Sequence, residues 1–99
     1  MSEASVRIDI WLWRARFMKT RALAAAYVGK GRIRLGDGPH TRRIEKPSAA
    51  VRPGETLTFP LRNRIVSLKV IALGERRGPA DEARALYQLV DEQEDAPDV

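Results

Sequence analysis

The chain has 99 residues, no cysteine and a single histidine, with 18 Lys or Arg against 13 Asp or Glu and a net charge of +5. That length supports one domain with a modest core and leaves no room for a separate catalytic domain. Without cysteine there are no disulfides and no thiolate metal sites, which suits a reducing cytoplasm. The longest apolar runs are a handful of residues, so neither a signal peptide nor a membrane span is expected.

The charge is unevenly placed. Residues 5–77 carry 17 basic against 5 acidic side chains, whereas residues 78–99 carry one Arg against seven acids. A polycationic body with an acidic end attracts polyanions through phosphate neutralisation and counterion release.

In chain order, residues 1–5 read as a disordered lead-in and residues 6–90 as a single domain. Within RIDIWLWRARFMKTR (residues 7–21), two Trp and a Phe alternate with Arg7, Arg14, Arg16, Lys19 and Arg21. If residues 9–18 are helical, Ile8, Trp11, Leu12 and Ala15 form a stripe that enters a core, and Asp9, Trp13 and Arg16 share a neighbouring face. Thr20 is the expected N-cap of a second, alanine-rich helix over about residues 21–28, with Leu23, Ala26 and Tyr27 inward and Gly29 or Gly31 ending it. Cations thus gather at a helix-to-helix corner.

Past Gly31 the period becomes alternating, which predicts a strand around Ile33 and Leu35 and then a turn at residues 36–39. Residues 41–51 read as irregular or edge strand anchored by Ile44 and Val51. Pro53-Gly54 suits a type II turn. A hairpin follows, with strands over residues 56–61 and 65–73 joined through Arg62-Asn63-Arg64. Gly78-Pro79 opens a last helix with Asp81 and Glu82 in its first turn and an apolar stripe of Ala83, Leu86, Tyr87 and Val90. Residues 91–99, DEQEDAPDV, read as a disordered acidic tail.

Catalysis finds little here. His40 stands alone in a loop, and Asp9, Asp37, Glu45, Glu55 and Glu75 are scattered, so neither an enzyme nor a metal or other cofactor is expected. The cationic corner offers more. Lys19 and Arg21 flank the N-terminus of the second helix, where free N–H groups and the helix dipole favour phosphate. Arg16, one turn back, can grip phosphate bidentately or stack on an unpaired base, the alternative being an ion pair with Asp9. Asp9 itself is read as structural. Trp11 is read as core, and so is Trp13, with base stacking as the alternative.

The opening Arg7-Ile8-Asp9 resembles the small RNA-binding domain named after the fourth protein of the small ribosomal subunit. WLW at residues 11–13, ARF at 15–17, KTR at 19–21, Lys46-Pro47-Ser48 and RRGPADEARALY at 76–87 resemble the ribosome-associated heat-shock protein fifteen family. The fold to expect is α+β: two short N-terminal helices packed on a small, twisted, mainly antiparallel sheet, plus a C-terminal helix. The resemblance implies a non-catalytic, cytoplasmic protein that binds structured ribosomal RNA of the large subunit, in stalled-ribosome rescue or the heat-shock response. Its candidate contacts are Arg7, Arg16, Lys19, Thr20, Arg21, Arg32 and Lys46, with Arg34, Arg42 and Arg43 able to extend the patch along the sheet rim. DNA should bind more weakly, no membrane is involved, and a monomer is expected.

The chain departs from the family pattern in two places. Residues 36–45, GDGPHTRRIE, replace a shorter Asn-Gly turn, and the chain ends acidic where some members carry a basic tail, so contacts there do not transfer. Two rivals remain. One is a DNA-binding helix-turn-helix, although residues 22–28 offer almost nothing polar to read base edges; the other is a basic adaptor that docks an acidic protein.

Overall fold

The computed structural model describes residues 4–37 and 39–90. The acidic tail at 91–99 therefore lies outside the described residues, as does most of the lead-in. The order of elements is β1 (Val6–Arg7), α1 (Ile8–Arg14), α2 (Arg21–Gly29), β2 (Ile33–Asp37), β3 (His40–Ile44), β4 (Ala50–Val51), β5 (Thr56–Leu61), β6 (Arg64–Val70), α3 (Ala80–Arg84) and β7 (Tyr87–Leu89). Five strands form one sheet in the order β3-β2-β5-β6-β7, every pair antiparallel, while β1 and β4 make a separate two-stranded pair. This is the expected α+β arrangement.

Alternation along the sheet sends Ile33, Leu35, Leu57, Phe59, Leu68 and Val70 to one face, where they meet Ile8, Trp11 and Leu12 of α1 and Ala24 and Val28 of α2, all fully buried. The first helical stripe is the predicted one, with Ala15 buried as well. The second is rotated. Leu23 is 53% exposed and Ala26 lies outside, whereas Ala24 and Val28 face the core and Tyr27 is half-buried. Small side chains occupy the line where α2 approaches α1, so close packing has overridden the pull of the larger leucine.

Helix α1 is shorter than its periodicity predicts. It ends at Arg14, because Phe17 N–H donates to Leu12 O (3.0 Å) and Arg16 N–H to Trp13 O (3.1 Å). That is the Schellman pattern, and Arg16 occupies its left-handed position at φ 68° where glycine is usual. Helix α2 closes conventionally at Gly31 (φ 73°), whose N–H reaches Val28 O.

The stretch read as irregular, residues 41–51, contributes edge strand β3 and then β4. Gly36 is paired with Thr41, and a Cβ on it would fall 2.0 Å from His40 O, so only glycine lets the two strands approach here. The β5–β6 hairpin turns through Arg62 and Asn63, both at positive φ, 55° and 69°, as the two-residue turn favoured by twisted strands requires. Pro60 lies beyond Thr56–Thr58, the stretch of β5 paired to β2, so its missing N–H interrupts no ladder on that side.

The C-terminal helix is a single turn. After Arg84 the chain extends, and Tyr87, Gln88 and Leu89 pair with Val70, Lys69 and Leu68 as β7. Leu86 is buried against the core as the helical stripe predicts, but Tyr87 and Val90 belong to a strand and its end. The open edge of β6 outcompetes a second helical turn, because it satisfies backbone groups that helix continuation would leave on the strand.

Candidate nucleic-acid interface

Trp11 anchors the region from beneath. It is fully buried, donates its indole N–H to Ala72 O at 2.9 Å, and lies 6.2 Å from the Phe17 ring. Phe17 in turn contacts Tyr87 (4.8 Å) and Phe59 (5.5 Å), so the turn after α1 is fixed to the sheet by aromatic packing. Trp13 is half-buried outside that cluster.

A latch of cationic side chains ties the end of α1 to residues 73–78. Arg14 Nη1 donates to Gly74 O (2.8 Å) and Leu73 O (3.4 Å), Arg16 Nε to Gly78 O (2.6 Å), and Arg77 Nε to Trp13 O (3.1 Å). Arg16 thus uses one donor for the latch and keeps both terminal nitrogens on an exposed side chain. It does not pair with Asp9, since it has left the helical face that the longer helix would have given it.

Lys19, Thr20 and Arg21 follow, all exposed. Thr20 caps α2 as predicted: its Oγ1 accepts from Leu23 N–H at 3.0 Å, and Ala24 N–H bonds Thr20 O. The N–H groups of Arg21 and Ala22 remain at the open end of the helix, beside the two cationic side chains. Lys19, Thr20 and Arg21 therefore lie together at the start of α2, with Arg16 in the turn just before them.

The other candidates sit elsewhere. Arg7 binds Asp9 bidentately, Nε to Oδ1 at 3.1 Å and Nη2 to Oδ2 at 2.9 Å, with Asp9 only 3% exposed. This hydrogen bond, reinforced by the carboxylate charge, raises the Arg7 pKa further above its ordinary value. Its charge is neutralised where it stands. Lys46 is exposed in the turn that receives Ile8 N–H and Asp9 N–H on Ala49 O and Pro47 O, at the start of α1 and away from the corner. Arg32 follows α2, whose nine residues span about 14 Å; it is near enough to Tyr27 to lower that phenol's pKa slightly against the dominant upward push of burial. Gly31 beside Glu45 brings the end of α2 to the Lys46 turn. The seven candidates thus form a corner group and a second, looser group at the opposite end of the helix pair.

Arg84 had no role in the sequence reading. It lines a groove with Arg16, together with Ala15, Phe17, Ala80, Ala83 and Tyr87. Only the docking of α3 beside the corner brings these two arginines to one groove. His40 is exposed on β3, and among the described residues no cluster of acids or histidine is arranged to hold a metal. No helix among the described residues is long and apolar enough to cross a membrane.

Comparison with known proteins places the chain. It is 39% identical over 88 residues to the heat shock protein 15 homolog of Haemophilus influenzae, covering 89% of this chain and 63% of that protein. It is 41% identical over 83 residues to heat shock protein 15 of Escherichia coli K12, covering 84% and 59%. The solved structure of Vibrio cholerae heat shock protein 15 superposes with a TM-score of 0.80 at 31% identity, over 94% of this chain and 89% of that one. The chain belongs to the heat shock protein 15 family. It spans about three-fifths of the length of its Haemophilus and Escherichia relatives, and no family model matches it. The Vibrio heat shock protein 15 is a trimer, which overturns the expectation of a monomer. A net positive charge argues against self-association only where like charges meet, and an apolar patch on an otherwise basic surface escapes that argument.

Proposed function

We propose that this heat shock protein 15 family member is a non-catalytic RNA-binding protein, carrying the small RNA-binding domain named after the fourth small-subunit ribosomal protein. Its target is structured RNA of the large ribosomal subunit, in the cytoplasm, during rescue of stalled ribosomes under stress. Arg16, Lys19, Thr20 and Arg21 make the primary contact, and Arg32, Lys46 and the partly neutralised Arg7 a secondary one. Following the Vibrio relative, the chain works as a trimer.

One observation carries the RNA reading. Arg16 occupies a left-handed position at φ 68° that costs a non-glycine residue about 1 kcal/mol, and it is latched to Gly78 through Nε with the rest of its side chain exposed, in the turn that leads into Lys19, Arg21 and the open end of α2. Strain at an exposed cation is better explained by a ligand than by stability. The exposed face of α2 offers Ala22, Leu23 and Ala26, which cannot read base edges and so disfavours a helix-turn-helix.

Titration of a large-subunit RNA fragment tests the reading. With roughly four to six phosphates engaged, affinity should fall with salt at a log-log slope of about −4 to −5, and duplex DNA should bind more weakly. Arg16→Gly combined with Lys19→Ala and Arg21→Ala should remove most of the affinity while the melting temperature stays near that of the wild type, since relief of the left-handed strain offsets the lost bond to Gly78 O. A flat salt dependence, or full binding by the triple variant, would place the interface elsewhere. Tighter binding to an acidic peptide than to RNA would favour the adaptor.

A further inference from the structure

The described residues expose five large apolar side chains: Leu23 (53%), Ile65 (65%), Ile71 (45%), Leu89 (57%) and Val90 (37%). Three of them, Ile65, Leu89 and Val90, line one concavity together with Phe17, Leu61, Val66 and Tyr87. It arises where the sheet outruns its helical cover. Leu68 is completely buried, yet its register partner on β7, Leu89, is more than half exposed, although paired residues on neighbouring strands point to the same face. The core face therefore continues into solvent at Leu89, while Ile65 and Val90, which alternate to the other face of the sheet, carry the apolar surface around its end.

Among the described residues, the same region carries an open strand edge. Val90 N–H donates to Ser67 O and Ile71 N–H to Leu86 O, so alternate residues of the β7 segment face β6 and the backbone groups of Tyr87 and Leu89 face outward. Apolar surface beside unpaired backbone is a template for another chain. The opposite edge of the sheet, β3, exposes His40, Thr41, Arg42 and Arg43, and its adjacent pair of arginines repels a second copy of this basic protein.

We propose that the patch formed by Ile65, Leu89 and Val90, with the open edge of β7, is the surface through which three copies of this chain meet. This rests on the trimer reading above and gives it a location. Around a three-fold axis each contact is heterologous, so the β6 side of the patch, at Ile65, meets the β7 side, at Leu89 and Val90, of the next copy. Arg62 and Arg64 rim the concavity on its β6 side, and because each copy has a basic body of 17 Lys or Arg against 5 acids over residues 5–77, assembly brings like charges closer. Salt screens that repulsion, so self-association strengthens as salt rises, the opposite of RNA binding.

Sedimentation equilibrium of the full chain, over about 1–200 μM protein at low and high salt, tests this. The expected result is a wild-type trimer that tightens with salt. Leu89→Asp and Ile65→Lys, both at exposed positions, should weaken it by about a hundredfold or more with unchanged circular dichroism, whereas Leu23→Gln, which removes an exposed apolar side chain from α2, should leave it intact. Folded Leu89→Asp and Ile65→Lys variants that remain trimeric would overturn the patch while leaving the trimer standing, and so would dissociation by Leu23→Gln. A wild-type monomer at every concentration would overturn the trimer reading itself, before any variant is made.

Discussion

At the scale of single residues, the decisive feature is a conflict between local preference and position at Arg16. Nothing in the order Arg14-Ala15-Arg16-Phe17 announces a helix end, since the usual signal is glycine and the helical stripe of Ile8, Trp11, Leu12 and Ala15 reads on without a break. Asp9 shows the converse, because its role as a structural acid was legible from its isolation among cations, but its partner was not. The structure selects Arg7, two residues away, over Arg16. Tyr27 supplies a pH-dependent prediction at this scale. Its hydroxyl donates to Pro60 O, and burial raises its pKa above the ordinary 10.0. A raised phenol pKa contributes stability that is complete below about pH 10 and is lost as pH rises through the folded-state value. Thermal melts should therefore show an alkaline fall in melting temperature above pH 10, and Tyr27→Phe should flatten it.

At the scale of elements, both hairpins store identifiable backbone constraints. Gly36 was legible as part of a turn, but its true constraint is the 2.0 Å approach of His40 O to any Cβ. Gly36→Ala should cost about 2–3 kcal/mol in denaturant unfolding by forcing β2 and β3 apart. The Arg62-Asn63 turn works the other way. Asn63 at φ 69° adopts a conformation that glycine takes without penalty, so Asn63→Gly should gain about 0.5–1 kcal/mol in the same assay. The final segment is the instructive miss. Ala83, Leu86, Tyr87 and Val90 have helical spacing, yet the pairing of Tyr87–Leu89 with β6 converts the last part to strand. Three- and four-residue spacing over so short a stretch describes a helix and a turn followed by a strand equally well.

For the whole molecule, Trp11 joins the parts: it is fully buried between α1 and the sheet, and its indole N–H ties Ala72 to the core. Trp11→Ala should destabilise the fold by about 3–5 kcal/mol, a large share of the stability of so small a domain, and chemical denaturation would show it. What the sequence determined by itself was set by short-range chemistry. Charge segregation, alternation, caps and turn residues specified the α+β class, the buried stripe of α1, the Thr20 cap and the hairpin strands, and local motifs were distinctive enough to indicate the family. What only the tertiary structure decided depends on partners distant in the chain. Gly78 O fixes Arg16, β6 makes a strand of residues 87–89, close helix packing chooses Ala24 over Leu23, and the end of the helical cover leaves Leu89 exposed. Each of these is a competition between a weak local preference and a contact formed across dozens of residues, and the contact wins because burial and backbone pairing outweigh propensities of a few tenths of a kcal/mol.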